Sequence, residues 1–171
     1  NGQTPPLGDR PQRTILHGHY REWYRHSPHP RAIPGRLSCV GLIRPYKGIG
    51  TLISAVVASP DQSISLSVAG KPINAQILDE LRALAGRDPR VRLVPEFLSD
   101  DDFSRQISEA ELVVLPYPAM LNSGGALAAL SLDRPVLVPD NPVTRALAEE
   151  VGHPWVQLFS GALSPEALTR A

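Results

Sequence analysis

Short apolar runs alternate with amphipathic stretches along most of the chain, and this alternation constrains the fold more than any other feature. The apolar runs predict strands over residues 37–43, 64–69, 91–94, 112–115, 136–138 and 155–159. The amphipathic stretches predict helices over residues 49–58, 75–85, 99–110, 125–132 and 143–151. Because each return to a parallel strand needs a crossover, we expect a doubly wound α/β domain whose Rossmann-like parallel sheet contains about six β/α units.

The strand patterns also indicate where a ligand would bind. The run LVVL at residues 112–115 lacks polar alternation, which is typical of strands covered by helices on both faces. In such sheets ligands bind beyond the carboxyl ends of the strands, near the change in strand order. Candidate site residues are therefore sought in the loops that follow strands.

The composition excludes several classes of protein. The 171 residues suffice for one core, and 42% hydrophobic with 20% charged residues is typical of a folded domain. No apolar run approaches the roughly 20 residues of a membrane span. The 17 basic and 17 acidic side chains cancel, so no overall field favours nucleic acid as a partner. Cys39, the one cysteine, is expected to be buried and fits a reducing compartment.

Residues 1–35 differ from the rest of the chain, because they are rich in proline and show no sustained periodicity. We interpret them as an interdomain connector or N-terminal extension outside the core, and residues 36–171 as the domain itself. An aromatic-rich turn at residues 20–24 is expected to pack against the domain or a second domain. Four histidines occur in this stretch without a cysteine or a compact zinc spacing, so we predict no metal site: His17, His19, His26 and His29.

The exit of the first predicted strand carries the clearest signal for an anion. Gly41 permits close approach of a ligand, while Arg44 and Lys47 place two cations just before a helix N-terminus. A diphosphate fits this combination, and plain solvation of a loop lysine is the alternative. Lys71 follows Gly70 at the exit of the second strand, so both lysines of the chain lie in such loops.

A second candidate anion site precedes the helix predicted at residues 125–132. Asn122 or Ser123 can cap this helix, and Gly124 with Gly125 lets a phosphate approach its free N–H groups. A capped helix with a glycine-rich start is the alternative. The sequence contains no P-loop, no G-x-G-x-x-G dinucleotide motif and no G-x-S-x-G element, and it names no catalytic residue.

Four short pieces in this order resemble the C-terminal domain of GT-B glycosyltransferases related to the glycosyl transferases group 1 family. They are Val40-Gly41, Arg44 with Lys47-Gly48, Val68-Ala69-Gly70 and Pro135-Val136. The resemblance implies one half of a GT-B enzyme, with an N-terminal acceptor domain absent from this chain. It further implies that Arg44 and Lys47 hold the donor diphosphate, together with Gly41 and the backbone of residues 122–125.

The resemblance also implies that the loop at residues 95–98 meets the nucleotide base. The candidate nucleotide-binding residues are Gly70, Lys71, Glu96, Phe97 and Leu98. Two features depart from the family pattern: Leu42 occupies a position where the family often has arginine, and two family glutamates correspond to Met120 and Ala128. We therefore interpret the chain as a divergent branch without the paired glutamates, in which residues 121–125 replace their contacts.

The function implied by the resemblance is the donor-binding role in a hexosyltransferase of polysaccharide biosynthesis. Such an enzyme moves a sugar from a GDP- or UDP-sugar to a glycan or lipid-linked acceptor, without a cofactor or metal. The family works in the cytoplasm, often at the inner face of the membrane, which implies peripheral membrane association of the full-length protein. The isolated domain is expected to be inactive in transfer. Two alternatives stay open: a non-catalytic nucleotide-binding or regulatory module, and a GT-B-type nucleotide-sugar epimerase.

Overall fold

Six parallel strands form one sheet in the computed structural model, which describes residues 18–117 and 124–169. The strands are β1 (Arg36–Val40), β2 (Ser65–Ala69), β3 (Val91–Val94), β4 (Leu112–Val114), β5 (Val136–Pro139) and β6 (Val156–Phe159). Their order is β3-β2-β1-β4-β5-β6, so the sheet grows from β1 in one direction and from β4 in the other. This is the predicted doubly wound sheet, and its strand order changes direction between β1 and β4.

Helices cover both faces of this sheet. Within the described ranges they are α1 (Ile49–Ala58), α2 (Ala75–Ala85), α3 (Asp100–Ser108), α4 (Gly124–Ser131), α5 (Pro142–Val151) and α6 (Pro165–Thr169). Leu52, Ile77 and Leu168 belong to the core on one face, and Ile107 and Ala129 to the core on the other. The strands are thus buried on both sides, as their apolar runs predict. None of the helices described here has both the length and the apolar character needed to cross a bilayer.

The predicted bounds of α1, α2 and β3 are confirmed, whereas the first strand is shorter than predicted. Gly41 has a φ of 106°, a conformation that other residues rarely adopt, and β1 therefore ends at Val40. α6 is missing from the sequence prediction because five residues are too few to show a helical period. The predicted helix start at Ser99 is confirmed, since its side chain accepts a hydrogen bond from the Asp102 N–H at 3.1 Å.

The N-terminal segment, residues 18–30, packs on α3. Tyr24 is buried, with 7% of its surface exposed, and its ring stacks on Phe103 with 6.0 Å between ring centroids. The Ser104 hydroxyl donates to the Pro28 carbonyl at 3.0 Å. The predicted packing of the aromatic turn is confirmed, but the expectation that this stretch lies outside the core is wrong for Tyr24, because long-range packing against α3 buries its ring.

Arg90 joins the end of α1 to the start of β3 at the amino edge of the sheet. Its guanidinium donates to the carbonyls of Val57, Ser59 and Asp61 at 3.2, 3.0 and 2.8 Å. It also donates to the Asp88 carboxylate at 2.8 Å. This network fixes one crossover at the edge opposite the loops in which the site is predicted.

Candidate functional site

The exits of β1 and β2 lie side by side at the carboxyl edge of the sheet. Gly70 has a φ of 149°, and a Cβ on it would lie 2.0 Å from the Gly41 carbonyl oxygen, so the backbone contact needs glycine. The exits stay paired beyond the strands, because the Ile43 N–H donates to the Lys71 carbonyl at 3.0 Å. The structure therefore brings the predicted residues Gly41, Gly70 and Lys71 together.

A short 3-10 helix at Pro45–Lys47 leads the chain from β1 into α1. Gly48 follows with a φ of 66°, and a Cβ there would lie 2.3 Å from the Pro116 carbonyl oxygen. Pro116 follows β4, so this contact joins two loops across the change in strand order. The Lys47 ammonium lies over the ring of Tyr117, 4.9 Å from its centroid. Lys47 is thus at the position where doubly wound sheets bind ligands.

The electrostatics of this loop favour an anion. Burial lowers the pKa of the Lys47 ammonium; Cys39 opposes this shift and Arg44 adds to it. In residues 18–117 and 124–169, no acidic side chain forms an ion pair with Arg44, Lys47 or Lys71. A phosphate group would supply the negative charge that these cations lack.

The second predicted anion site is described only in part. Asn122 and Ser123 lie outside the described residues. α4 begins at Gly124 and continues through Gly125. The Tyr20 hydroxyl lies 3.2 Å from the position that a Cβ on Gly124 would occupy, so the N-terminal segment reaches the start of α4. The sequence pattern gives no sign of this long-range contact.

A cavity of about 270 Å³ opens beside the exits of β1 and β2. The predicted site residues that line it are Gly41, Gly70, Lys71, Phe97 and Leu98. The lining residues that sequence reasoning missed are Tyr24, Leu42, Asp100 and Phe103. Glu96 is exposed beyond β3 and does not line the cavity. The aromatic run at residues 20–24 is the available signal for Tyr24. Asp100 lies within the helix predicted at residues 99–110, and this pattern gives no sign of a cavity.

Sequence comparison connects the chain to known enzymes. It is 41% identical over 165 residues, or 96% of its length, to the GDP-mannose:glycolipid 4-beta-D-mannosyltransferase of Xanthomonas campestris pv. campestris. The match covers 46% of that protein, so the chain spans about half the length of the curated relatives it matches. No protein-family model matches the chain.

Solved structures share the fold of this chain. The C-terminal domain of a glycosyl transferase group 1 family protein from Francisella tularensis has a TM-score of 0.62 at 16% identity, covering 89% of this chain and 78% of that chain. The chain has the fold of a GT-B C-terminal domain. Anabaena HepE in complex with UDP and glucose has a TM-score of 0.65 at 19% identity over 80% of this chain and 37% of that chain. The fold that the four sequence pieces imply is confirmed.

The position that the family pattern gives to its second glutamate is closed to solvent in this chain. Ala128 occupies it in α4 and has only 2% of its surface exposed. Met120, at the position of the first glutamate, lies outside the described residues. The carboxylate that does line the cavity comes from Asp100, on a different helix. The acidic side chain at this cavity therefore belongs to α3 and not to α4.

Proposed function

We propose that this domain binds the GDP part of GDP-mannose and that the full-length protein transfers mannose to a glycolipid acceptor. The observation that carries the diphosphate assignment is the pair Arg44 and Lys47 in the loop where the strand order changes. Among the described residues, this pair has no acidic partner. The identity of 41% over 96% of the chain to a GDP-mannose:glycolipid mannosyltransferase supports the choice of donor and acceptor.

The proposed chemistry is stabilisation of the leaving group. As the bond between the sugar and the diphosphate breaks, negative charge grows on the phosphate oxygens, and fixed positive charge nearby lowers the barrier. Arg44 and Lys47 supply that charge, and the free N–H groups at the start of α1 add to it. Lys47 is half-buried, so its attraction to phosphate exceeds that of a fully solvated ammonium. The acceptor binds, on this proposal, in a second domain that faces the carboxyl edge of the sheet.

Calorimetric titration of the chain with GDP, UDP and ADP tests the donor site. We expect saturable binding of GDP, which Lys47→Ala weakens by about tenfold or more, because a hydrogen bond to a charged group is lost. Arg87→Ala is the matched control: Arg87 is an exposed cation that follows α2 at the opposite edge of the sheet, and its loss leaves binding unchanged. No response to any nucleotide at millimolar concentration would contradict the proposal and favour a non-catalytic module.

Product analysis of the full-length protein tests the reaction. The protein is incubated with GDP-mannose and a glycolipid fraction, and the lipid and nucleotide-sugar products are separated by mass spectrometry and chromatography. Mannosylated lipid with release of GDP is the expected result. Conversion of the nucleotide sugar to an epimer, without transfer to lipid, would contradict it.

A further inference from the structure

Among the residues that line the cavity beside the β1 and β2 exits, Asp100 provides the carboxylate. It is the first residue of α3. The indole N–H of Trp23, from the N-terminal segment, donates to Asp100 Oδ2 at 3.1 Å. Tyr24 and Asp100 both line this cavity. Burial raises the pKa of the Tyr24 hydroxyl, and the nearby charge of Asp100 raises it further.

The rest of the cavity wall suits a flat ring. Phe97 has 77% of its surface exposed, and the neighbouring wall is formed by Leu42 and by the stacked rings of Tyr24 and Phe103. An exposed aromatic side chain beside a cavity offers a stacking surface to a nucleobase. The volume of about 270 Å³ lies just below the roughly 300 Å³ at which whole small-molecule sites begin, so the cavity suits a base more than an entire nucleotide sugar.

A carboxylate at the edge of a stacked base discriminates among bases. Guanine presents two adjacent donors, the N1–H and the N2 amino group, and both can donate to one carboxylate. Adenine presents the acceptor N1 beside its amino group, and uracil has a carbonyl on each side of its N3–H. An ionised carboxylate therefore attracts the guanine edge and repels the acceptors of the other two bases. Two carboxylate oxygens offer about four lone-pair sites, so the bond from Trp23 leaves room for the base.

We propose that Asp100 determines specificity for a guanine base and that Trp23 is the residue that positions its carboxylate. The inference rests on the proposed function, because it assigns the base of the nucleotide whose diphosphate Arg44 and Lys47 hold. It adds a side chain from the N-terminal segment to the binding site. Trp23 is itself 67% exposed, so its hydrogen bond to Asp100 acts on the orientation of the carboxylate more than on the core.

Four nucleotides and three variants test this assignment. Dissociation constants for GDP, IDP, UDP and ADP are measured by calorimetry on the unmodified chain and on Asp100→Asn, Trp23→Phe and Asp101→Asn. IDP lacks the N2 amino group and so reports on that contact alone. Asp101→Asn is the matched control, because Asp101 also lies in the first turn of α3 and does not line the cavity. Thermal unfolding shows whether each variant is folded.

We expect Asp100→Asn to weaken GDP binding by about 10- to 100-fold, since a bidentate contact to a base is lost. UDP binding should not weaken, because the same change removes a charge that repels the carbonyl groups of uracil. The preference for GDP over IDP should disappear in the same variant. Trp23→Phe keeps an aromatic ring but loses the N–H, and it should lower the ratio of GDP to UDP affinity by about threefold or more, the loss of roughly one hydrogen bond. Asp101→Asn should bind as the unmodified chain does.

An equal loss of GDP and UDP binding in Asp100→Asn, or no loss at all, overturns the assignment. If Trp23→Phe leaves the ratio of GDP to UDP affinity unchanged, the proposed role of Trp23 is overturned. If Lys47→Ala abolishes nucleotide binding while Asp100→Asn keeps the base preference, only this inference fails and the proposed function stands. If the unmodified chain binds no nucleotide, both fail.

Discussion

Replacing Gly48 by alanine should force apart the two loops that meet where the strand order changes. A Cβ at this position would lie 2.3 Å from the Pro116 carbonyl oxygen and 3.3 Å from its carbonyl carbon, and both belong to backbone that cannot rotate away. Gly48 also has a φ of 66°. Gly161 provides the matched control, because its φ is 71° and an added Cβ would have no atom within 4 Å. Gly161→Ala therefore carries the conformational cost without the collision.

The surroundings of the two glycines determine how much each substitution should lower the free energy of unfolding. A non-glycine residue in the left-handed region costs roughly 1–2 kcal/mol, so Gly161→Ala should lower the free energy of unfolding by about that amount. Displacing a packed neighbour adds about 1–3 kcal/mol, which brings the total for Gly48→Ala to about 2–5 kcal/mol. Each glycine-to-alanine change also lowers the conformational entropy of the unfolded chain by the same amount. This contribution therefore cancels when the two variants are compared. In a chain of this size each 1 kcal/mol lowers Tm by about 2–4 °C.

Urea denaturation followed by circular dichroism measures the two unfolding free energies, and titration with GDP measures the site. Gly48→Ala should also weaken GDP binding, because Lys47 is the preceding residue and moves with the loop. Gly161→Ala should not. Equal destabilisation of the two variants, with GDP binding unchanged in both, would refute the reasoning that the contact with Pro116 holds the β1–α1 loop in place.

Three further predictions concern side chains around the site and the amino edge. Tyr117→Leu removes the ring beneath Lys47 and should weaken GDP binding by about two- to fivefold, whereas Tyr117→Phe should leave it unchanged in the same titration. Burial raises the pKa of the Cys39 thiol to about 12, so iodoacetamide at about pH 8 should modify it only in urea; mass spectrometry that finds rapid modification without urea would contradict this. The hydrogen bond from Arg90 lowers the pKa of Asp88, so its stabilisation is complete above about pH 4 and is lost as the pH falls through the lowered pKa. Asp88→Asn should therefore be less stable than the unmodified chain in urea at neutral pH, and this difference should shrink as the pH falls below about 4.

Most of the fold could be predicted because the long elements carry strong local signals. α1 and α2 show a clear helical period over 10 and 11 residues, and their predicted bounds coincide with the structure. The order of the strands could not be predicted, because the apolar runs resemble one another and pairing is decided by packing over long distances. The bend after Val40 could not be predicted either, because Gly41 allows a positive φ without requiring it.

Site residues could be predicted only where their place in the fold follows from the strand that they succeed in the sequence. Parallel strands bring their carboxyl ends to one edge, so Gly41, Lys47 and Lys71 could be grouped from the sequence. The ring of Tyr117 beneath Lys47 joins two loops that are far apart in the chain. An acidic residue in the first turn of a helix is common because it interacts favourably with the helix dipole, so the sequence gives no reason to expect Asp100 at a cavity wall.

The stacking of Tyr24 on Phe103 determines where this folding unit can be cut. A truncated form that began at Arg36 would retain all six strands but would lose Tyr24 and uncover Phe103. It would also lose Trp23 and hence the hydrogen bond that orients Asp100. Chimeras that exchange this domain between related proteins should therefore place the junction before residue 18, so that Trp23 and Tyr24 are transferred together with α3.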